Sequence, residues 1–200
     1  MRIFVGIDLD PEVRARISRF LEGIESFVPD ARWMRPESLH ITLKFIGEQT
    51  PEQVEAVTRR LRRIESGGFE IRAGGYGFFP TARAPRVFWI GIQAGPQLAA
   101  LAENVDAATA ELDIAREDRA YSPHLTLARG GGRSASPKWR KGDGPNALFR
   151  ALEKRLAAMG ELDFGTMTAC EFILYQSELS PGGSKYTKLQ RFPLGLLSNQ

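Results

Sequence analysis

The order of elements in this chain is written twice, and that repetition limits the fold more than any other feature. Ile3 to Ile7 is a short apolar run suited to a buried strand. Val13, Ile17, Phe20, Leu21, Ile24 and Phe27 then recur at three- and four-residue spacing, the stripe of an amphipathic helix that starts near Pro11. Leu39 to Ile46 alternates as a strand does, Val54, Val57, Leu61 and Ile64 stripe a second helix, and a strand follows from about Phe69. The second half repeats the order. Val87 to Ile92 is an apolar strand, and Leu98, Leu101, Val105, Ala108 and Leu112 stripe a helix. Pro123 to Ala128 reads as a strand, Leu148, Leu152 and Leu156 mark a fourth helix, and strands near Met167 to Leu174 and Tyr186 to Phe192 follow. A duplicated α+β protein is expected, one domain of two lobes, with a first half of about 1–80 and a second of about 81–200. Each lobe would be a small sheet backed by helices. A single mixed sheet is the alternative that periodicity leaves open.

Two hundred residues with 42% apolar content suffice for one sizeable core or for two lobes sharing one. A formal charge of +3 tolerates a polyanionic partner without demanding one. One cysteine, Cys170, rules out an intramolecular disulfide framework and any multi-cysteine zinc site. Lying in the apolar run from Ala169 to Leu174, it is expected to be a buried, inert thiol. Charge interrupts the first apolar run after five residues, too soon for a signal peptide, and no run approaches a transmembrane span. A cytoplasmic protein without a membrane partner is expected.

Each half carries one histidine on its third element, and both histidines open a His-x-Thr-Leu tetrapeptide. The first is His40-Ile41-Thr42-Leu43 and the second is His124-Leu125-Thr126-Leu127. From the Thr and Leu content, both tails arising by accident has a chance of roughly 1 in 50,000. Side chains alternate faces along a strand, so each motif lays an imidazole beside a hydroxyl on one face and anchors the other face in a core. Two such strands, one per lobe, line a cleft with two rings and two hydroxyls. A metal site would call for a third ligand, and no further histidine, His-x-His or His-Glu-x-x-His exists. Acid–base chemistry fits better. An ordinary imidazole pKa near 6.5 allows one ring to be neutral and the other protonated at the same pH. The first then takes a proton from water while the second gives one to a leaving oxygen. The threonine hydroxyls can donate to phosphate oxygens held between the rings.

The stretch from Trp33 to Glu48, Trp-Met-Arg-Pro-Glu-Ser-Leu-His-Ile-Thr-Leu-Lys-Phe-Ile-Gly-Glu, closely resembles the first motif of the RNA 2′,3′-cyclic phosphodiesterases, historically called 2′-5′ RNA ligases. Ser122 to Arg129 resembles their second motif, Leu179 to Tyr186 their C-terminal turn, and Pro85 to Gly91 the strand that opens their second half. The resemblance covers nearly the whole chain. The histidine motifs are shared across the wider two-histidine (2H) phosphoesterase superfamily, and the flanking turns point to this branch. It implies a bilobal fold of two small antiparallel sheets facing a central cleft with helices outside, no metal and no cofactor. The implied partner is an RNA 3′ end bearing a 2′,3′-cyclic phosphate, hydrolysed by a monomer to a 2′-phosphate. By the same resemblance His40 is the proton donor to the 3′ oxygen and His124 the proton acceptor from water. Thr42, Thr126 and Arg129 hold the phosphate.

Strict alternation puts Arg129 on the face opposite His124, so the strand must twist, bulge or end by Ala128 for that role to hold. Alternation likewise sends Phe45 to the core face, with a base contact as the other reading, and puts Lys44 on the His40 face. Arg59, Arg60, Arg62 and Arg63 are read as a solvated helix face. Gly130 to Asn146 departs from the family as a long Gly-, Ser- and Pro-rich loop, with Arg133, Lys138, Arg140 and Lys141 around Trp139. Three other uses of such a site stay open: joining RNA ends through a 2′-5′ linkage, hydrolysis of small cyclic nucleotides, and binding of RNA ends without catalysis.

Overall fold

The computed structural model describes residues 1–130, 147–180 and 183–196; the basic side chains of the glycine-rich loop and the Pro181–Gly182 turn lie outside them. The described elements run β1 (Arg2–Asp8), α1 (Pro11–Ile24), β2 (Arg32–Trp33), β3 (His40–Glu48), α2 (Pro51–Leu61), β4 (Phe69–Phe79), β5 (Val87–Ala94), α3 (Pro96–Ala110), β6 (His124–Arg129), α4 (Arg150–Ala157), β7 (Asp163–Ala169), β8 (Glu171–Ser180) and β9 (Gly183–Pro193). Three of the four helices begin with proline, which fits the first turn because that N–H has no partner there. Thr50 closes a capping box with Gln53 at the start of α2.

The strands form two antiparallel sheets, one ordered β3-β1-β8-β9 and the other β2-β6-β5-β4-β7. This is the expected α+β arrangement, with the sheets set about a cleft and the helices outside. The sheets are not sequence halves divided near residue 80, however. β2 and β4 belong to the sheet of β6, and the hairpin β8–β9 belongs to the sheet of His40. Each sheet is therefore completed by strands from the other half of the chain.

The helix stripes bury as their spacing predicts. Val13, Ile17, Leu21 and Ile24 of α1 pack with Val57 and Leu61 of α2 and Leu98, Leu101 and Val105 of α3 in one core. That core also takes Ile3, Val5 and Ile7 of β1 and Phe88 and Ile90 of β5. The opposite face of the first sheet carries a separate aromatic cluster of Phe4, Tyr175 and Tyr186. The segment from Met167 to Leu174 is two strands rather than one. It breaks at Cys170 and passes from one sheet to the other, so the cysteine is exposed rather than buried. Among the described residues no helix is long and apolar enough to cross a membrane.

Candidate active site

The two histidines open β3 and β6 in the same way. His40 is held by a 2.8 Å hydrogen bond between its Nδ1 and the Ser38 carbonyl, and His124 by a 2.7 Å bond between its Nδ1 and the Ser122 carbonyl. A carbonyl only accepts, so each Nδ1 carries the proton and each Nε2 is left for chemistry. Both rings are half-buried. His40 sits against Phe4, at 4.6 Å between ring centroids, and edge-on to Tyr186 at 5.0 Å. His124 meets Phe79 edge-on at 5.0 Å and Trp89 at 6.2 Å. Glycines make room for this packing. A Cβ on Gly6 would stand 2.8 Å from the Ile41 carbonyl oxygen and 3.5 Å from His40 Cδ2, and one on Gly77 would enter the Trp89 indole at 2.2 Å.

A matched pair of bulges sets what each motif strand presents. Along β1 and β3, Gly6 pairs with Thr42 and Val5 with Lys44, which leaves Leu43 as an extra residue. Along β5 and β6, Trp89 pairs with Thr126 and Phe88 with Ala128, which leaves Leu127 extra. Both bulges fall three residues after the histidine, and both reverse the alternation for the residues that follow directly. Leu43 and Lys44 are consecutive buried residues, as are Leu127 and Ala128. The fifth residue after each histidine thus returns to the histidine's face. In β6 that residue is Arg129, which satisfies the condition its phosphate role required. In β3 it is Phe45, which is 55% exposed with its ring 5.9 Å from Phe4. The expectations for Phe45 in the core and Lys44 beside His40 are both corrected, for this one reason. Lys44 instead points inward, 2% exposed, ion-paired with Asp106 of α3 and donating to the Ala115 carbonyl at 2.8 Å.

Several residues without a motif of their own align the two strands. Tyr121, three residues before His124, donates its hydroxyl to the Thr42 carbonyl at 3.0 Å and so links the second motif to the first. Burial pushes its pKa up, which keeps the hydroxyl a donor. The Met34 N–H donates to the Leu127 carbonyl at 2.8 Å, at the bulge itself. Arg14 of α1 pairs with Asp8 and donates to the Pro36 carbonyl, clamping the turn whose Ser38 carbonyl holds His40. Asp8 is in turn the cross-strand neighbour of His40 and binds Lys188. No spacing in the sequence announces Tyr121 or Arg14; a lysine in an apolar strand was the one visible sign of the Lys44–Asp106 pair.

Thr42 and Thr126 lie half-buried on the histidine face, and among the described residues neither hydroxyl has a hydrogen-bond partner. Arg129 lies within electrostatic reach of both imidazoles. Burial first, then Arg129 and Arg14, push His40 down to about 4, against the Ser38 bond and the Asp8 carboxylate, which favour its charged form. His124 is lowered by burial and Arg129, against its bond to Ser122. Arg129 is itself lowered, mainly by burial and by the fields of Arg32 and Arg2.

The same shifts make stability depend on pH. Both rings titrate lower in the folded than in the unfolded chain, so the unfolded state binds protons first as pH falls below 6.5. Their contribution is complete above that pH and is lost as pH falls through the folded value, about 4 for His40. Asp8, Asp106 and Asp163 are held below their ordinary 3.8, so the stability they contribute is present above that pH and is lost only at lower pH. The unfolding free energy is expected to drop between pH 6.5 and 4, with His40 accounting for on the order of 3 kcal/mol. Chemical denaturation of the parent and His40→Gln across that range measures it; equal slopes in the two would refute it.

Two antiparallel sheets that meet at mirrored His-x-Thr strands, with an arginine within reach of both rings, define a two-histidine phosphoesterase. The comparisons with known proteins agree. Residues 7–89 match the model of the LigT like Phosphoesterase family. An RNA 2′,3′-cyclic phosphodiesterase of Methanothermobacter thermautotrophicus is 32% identical over 97% of this chain and 99% of its own. The crystal structure of TT0787 of Thermus thermophilus superposes with a TM-score of 0.76 at 29% identity, covering 98% of this chain and 99% of the other. That of E. coli LigT complexed with 3′-AMP gives 0.72 at 27% identity over 96% and 97%. The chain belongs to the LigT-like phosphoesterase family and is a hydrolase of phosphodiester bonds.

Proposed function

We propose that this enzyme hydrolyses 2′,3′-cyclic phosphates at RNA 3′ ends to 2′-phosphomonoesters, with His40 as proton donor and His124 as proton acceptor and no metal. The reading is carried by the two equivalent histidines, each tied back through Nδ1 so that Nε2 is free, with Arg129 acting on both. Neutral His124 takes a proton from water through Nε2, and the water oxygen attacks phosphorus in line. The bond from phosphorus to the 3′ oxygen breaks, and the His40 imidazolium protonates that oxygen. The phosphate is left on the 2′ oxygen. Thr42 and Thr126 donate to the non-bridging oxygens, where charge builds up, and Arg129 opposes that charge. Phe45 offers a face for the terminal base.

Asp8 favours imidazolium at His40, and the causes acting on His124 include no carboxylate. A bound phosphate anion offsets the field of Arg129 and raises both rings, so His40 takes up from solvent, as substrate binds, the proton that it later donates.

The test is incubation of the protein with an oligonucleotide ending in a 2′,3′-cyclic phosphate, with and without excess chelator, followed by identification of the phosphate position. A 2′-phosphate formed equally in both samples is expected. A 3′-phosphate would reverse the roles of the histidines, and strict dependence on an added metal would overturn the mechanism. Because both rings are lowered in the free enzyme, the bell of kcat/KM should centre on the acid side of 6.5, and that of kcat at higher pH. Coincident bells would show that substrate does not supply the missing charge.

A further inference from the structure

Arg129 is not the only cation on its face. Arg32 of β2 is its cross-strand partner. Their neighbours Trp33 and Ala128 are also paired, and both pack inward, Ala128 fully buried and Trp33 edge-on to Phe88 in the core at 6.1 Å. Arg32 and Arg129 therefore share the other face, which is the face of His124. Paired residues in a sheet stand about 5 Å apart at Cβ, and like charges placed so repel. On the first sheet Arg2 alternates with Ile3 and shares the face of Phe4, whose ring lies against His40 and Phe45. Arg129 feels both cations.

Arg2 and Arg32 are exposed, and among the described residues neither forms an ion pair. The acid nearest in register to Arg2 is Glu48, which lies 3.2 Å from the amino group of Met1 instead. Some exposed arginines of this chain are matched with acids, Arg16 with Glu12, Arg72 with Asp163 and Arg191 with Glu171, whereas Arg2 and Arg32 share the neighbourhood of a third arginine instead. Arg2 and Arg32 thus approach Arg129 from two different sheets, beside an exposed aromatic ring. Their mutual repulsion is relieved when an anion binds among them, and one phosphate held between the histidines would engage Arg129 alone.

We propose that Arg2 and Arg32 form a second phosphate subsite, which takes the phosphodiester just upstream of the reacting ribose in a single-stranded RNA. The inference rests on the proposed function, which places the reacting phosphate at Arg129. It makes the preferred substrate an oligonucleotide rather than a mononucleotide. The cations meet the backbone, and Phe45 stacks on a base, a combination typical of single-strand binding.

The test is the Arg2→Ala, Arg32→Ala double variant, compared with the parent on a 2′,3′-cyclic mononucleotide and on a hexanucleotide with the same cyclic end. The variant should keep kcat/KM for the mononucleotide within about twofold, while KM for the hexanucleotide rises by about tenfold or more. Fluorescence anisotropy with a hexanucleotide ending in a 2′-phosphate needs no turnover. There the slope of log affinity against log salt should shrink by about 0.7 for each phosphate no longer engaged. Replacing both residues by Lys should retain most of the binding. Equal losses on the short and long substrates, or no loss on the hexanucleotide, would overturn the subsite. Should the parent bind the hexanucleotide with the expected salt slope, lost in the variant, yet cleave no cyclic phosphate, the proposed function fails and the subsite stands.

Discussion

Replacing His40 or His124 by Ala is expected to lower kcat on an RNA 2′,3′-cyclic phosphate by about 10²–10⁴, the usual contribution of one positioned acid or base. The melting temperature at pH 7.5 should change little, because each ring is half-buried at the opening of its strand and the core face of each motif is untouched. The double variant should lose much less than the product of the two single losses, since the rings act on one proton-transfer sequence. Steady-state turnover with circular dichroism on the same samples decides the matter. Activity near the parent's in either variant would remove that residue from the chemistry, whatever its geometry.

The second large effect is expected in stability. Asp106→Ala strands the Lys44 ammonium inside the protein, with the Ala115 carbonyl as its remaining partner. Breaking a buried pair from one side costs about 3–5 kcal/mol. Burial alone would raise the Asp106 carboxyl, but Lys44 and the Glu117 N–H hold it below its ordinary range, so it stands as a carboxylate beside Lys44 at neutral pH. Urea denaturation should show the loss as a lower midpoint with an unchanged slope. Joining Asp106→Leu to Lys44→Met should recover most of it, because an apolar pair of similar volume leaves no charge buried. If the single variant matches the parent, the pair does not hold β3 against α3.

The composite fold was legible because its signals are local. Stripes at helical spacing became α1 to α4, and the two His-x-Thr strands lie where the repeated order put them. What the sequence concealed follows from one irregularity used twice. A bulge adds a residue without requiring Gly or Pro, so nothing at Leu43 or Leu127 marks the reversal. Alternation alone misplaces Lys44 and Phe45 and puts Arg129 on the wrong face, and the register of the paired strands corrects all three. The exchange of strands between sheets was hidden for a different reason. Pairing partners such as Val5 and Leu174 are set by long-range packing, and a strand's own residues do not name its neighbour. Cys170 is exposed although its neighbours are apolar, because it sits at the crossing point between β7 and β8, where the chain changes sheets.

The placement of the β8–β9 hairpin has a temporal side. β1, the partner of His40's strand, has its other edge covered by β8, and the rings of Tyr175 and Tyr186 that pack on His40 come from this same hairpin. A chain growing from its amino end therefore makes the first histidine strand early but cannot finish the wall around it until the hairpin, far along the sequence, exists. By then β4 to β7 are complete, so the sheet of His124 can close first. Contacts of such long range are slow to form, because loop closure must precede them. The wall around His40 is therefore completed only when the hairpin pairs with β1, and a truncated chain lacking the hairpin would keep the strands around His124 without Tyr175 and Tyr186 beside His40.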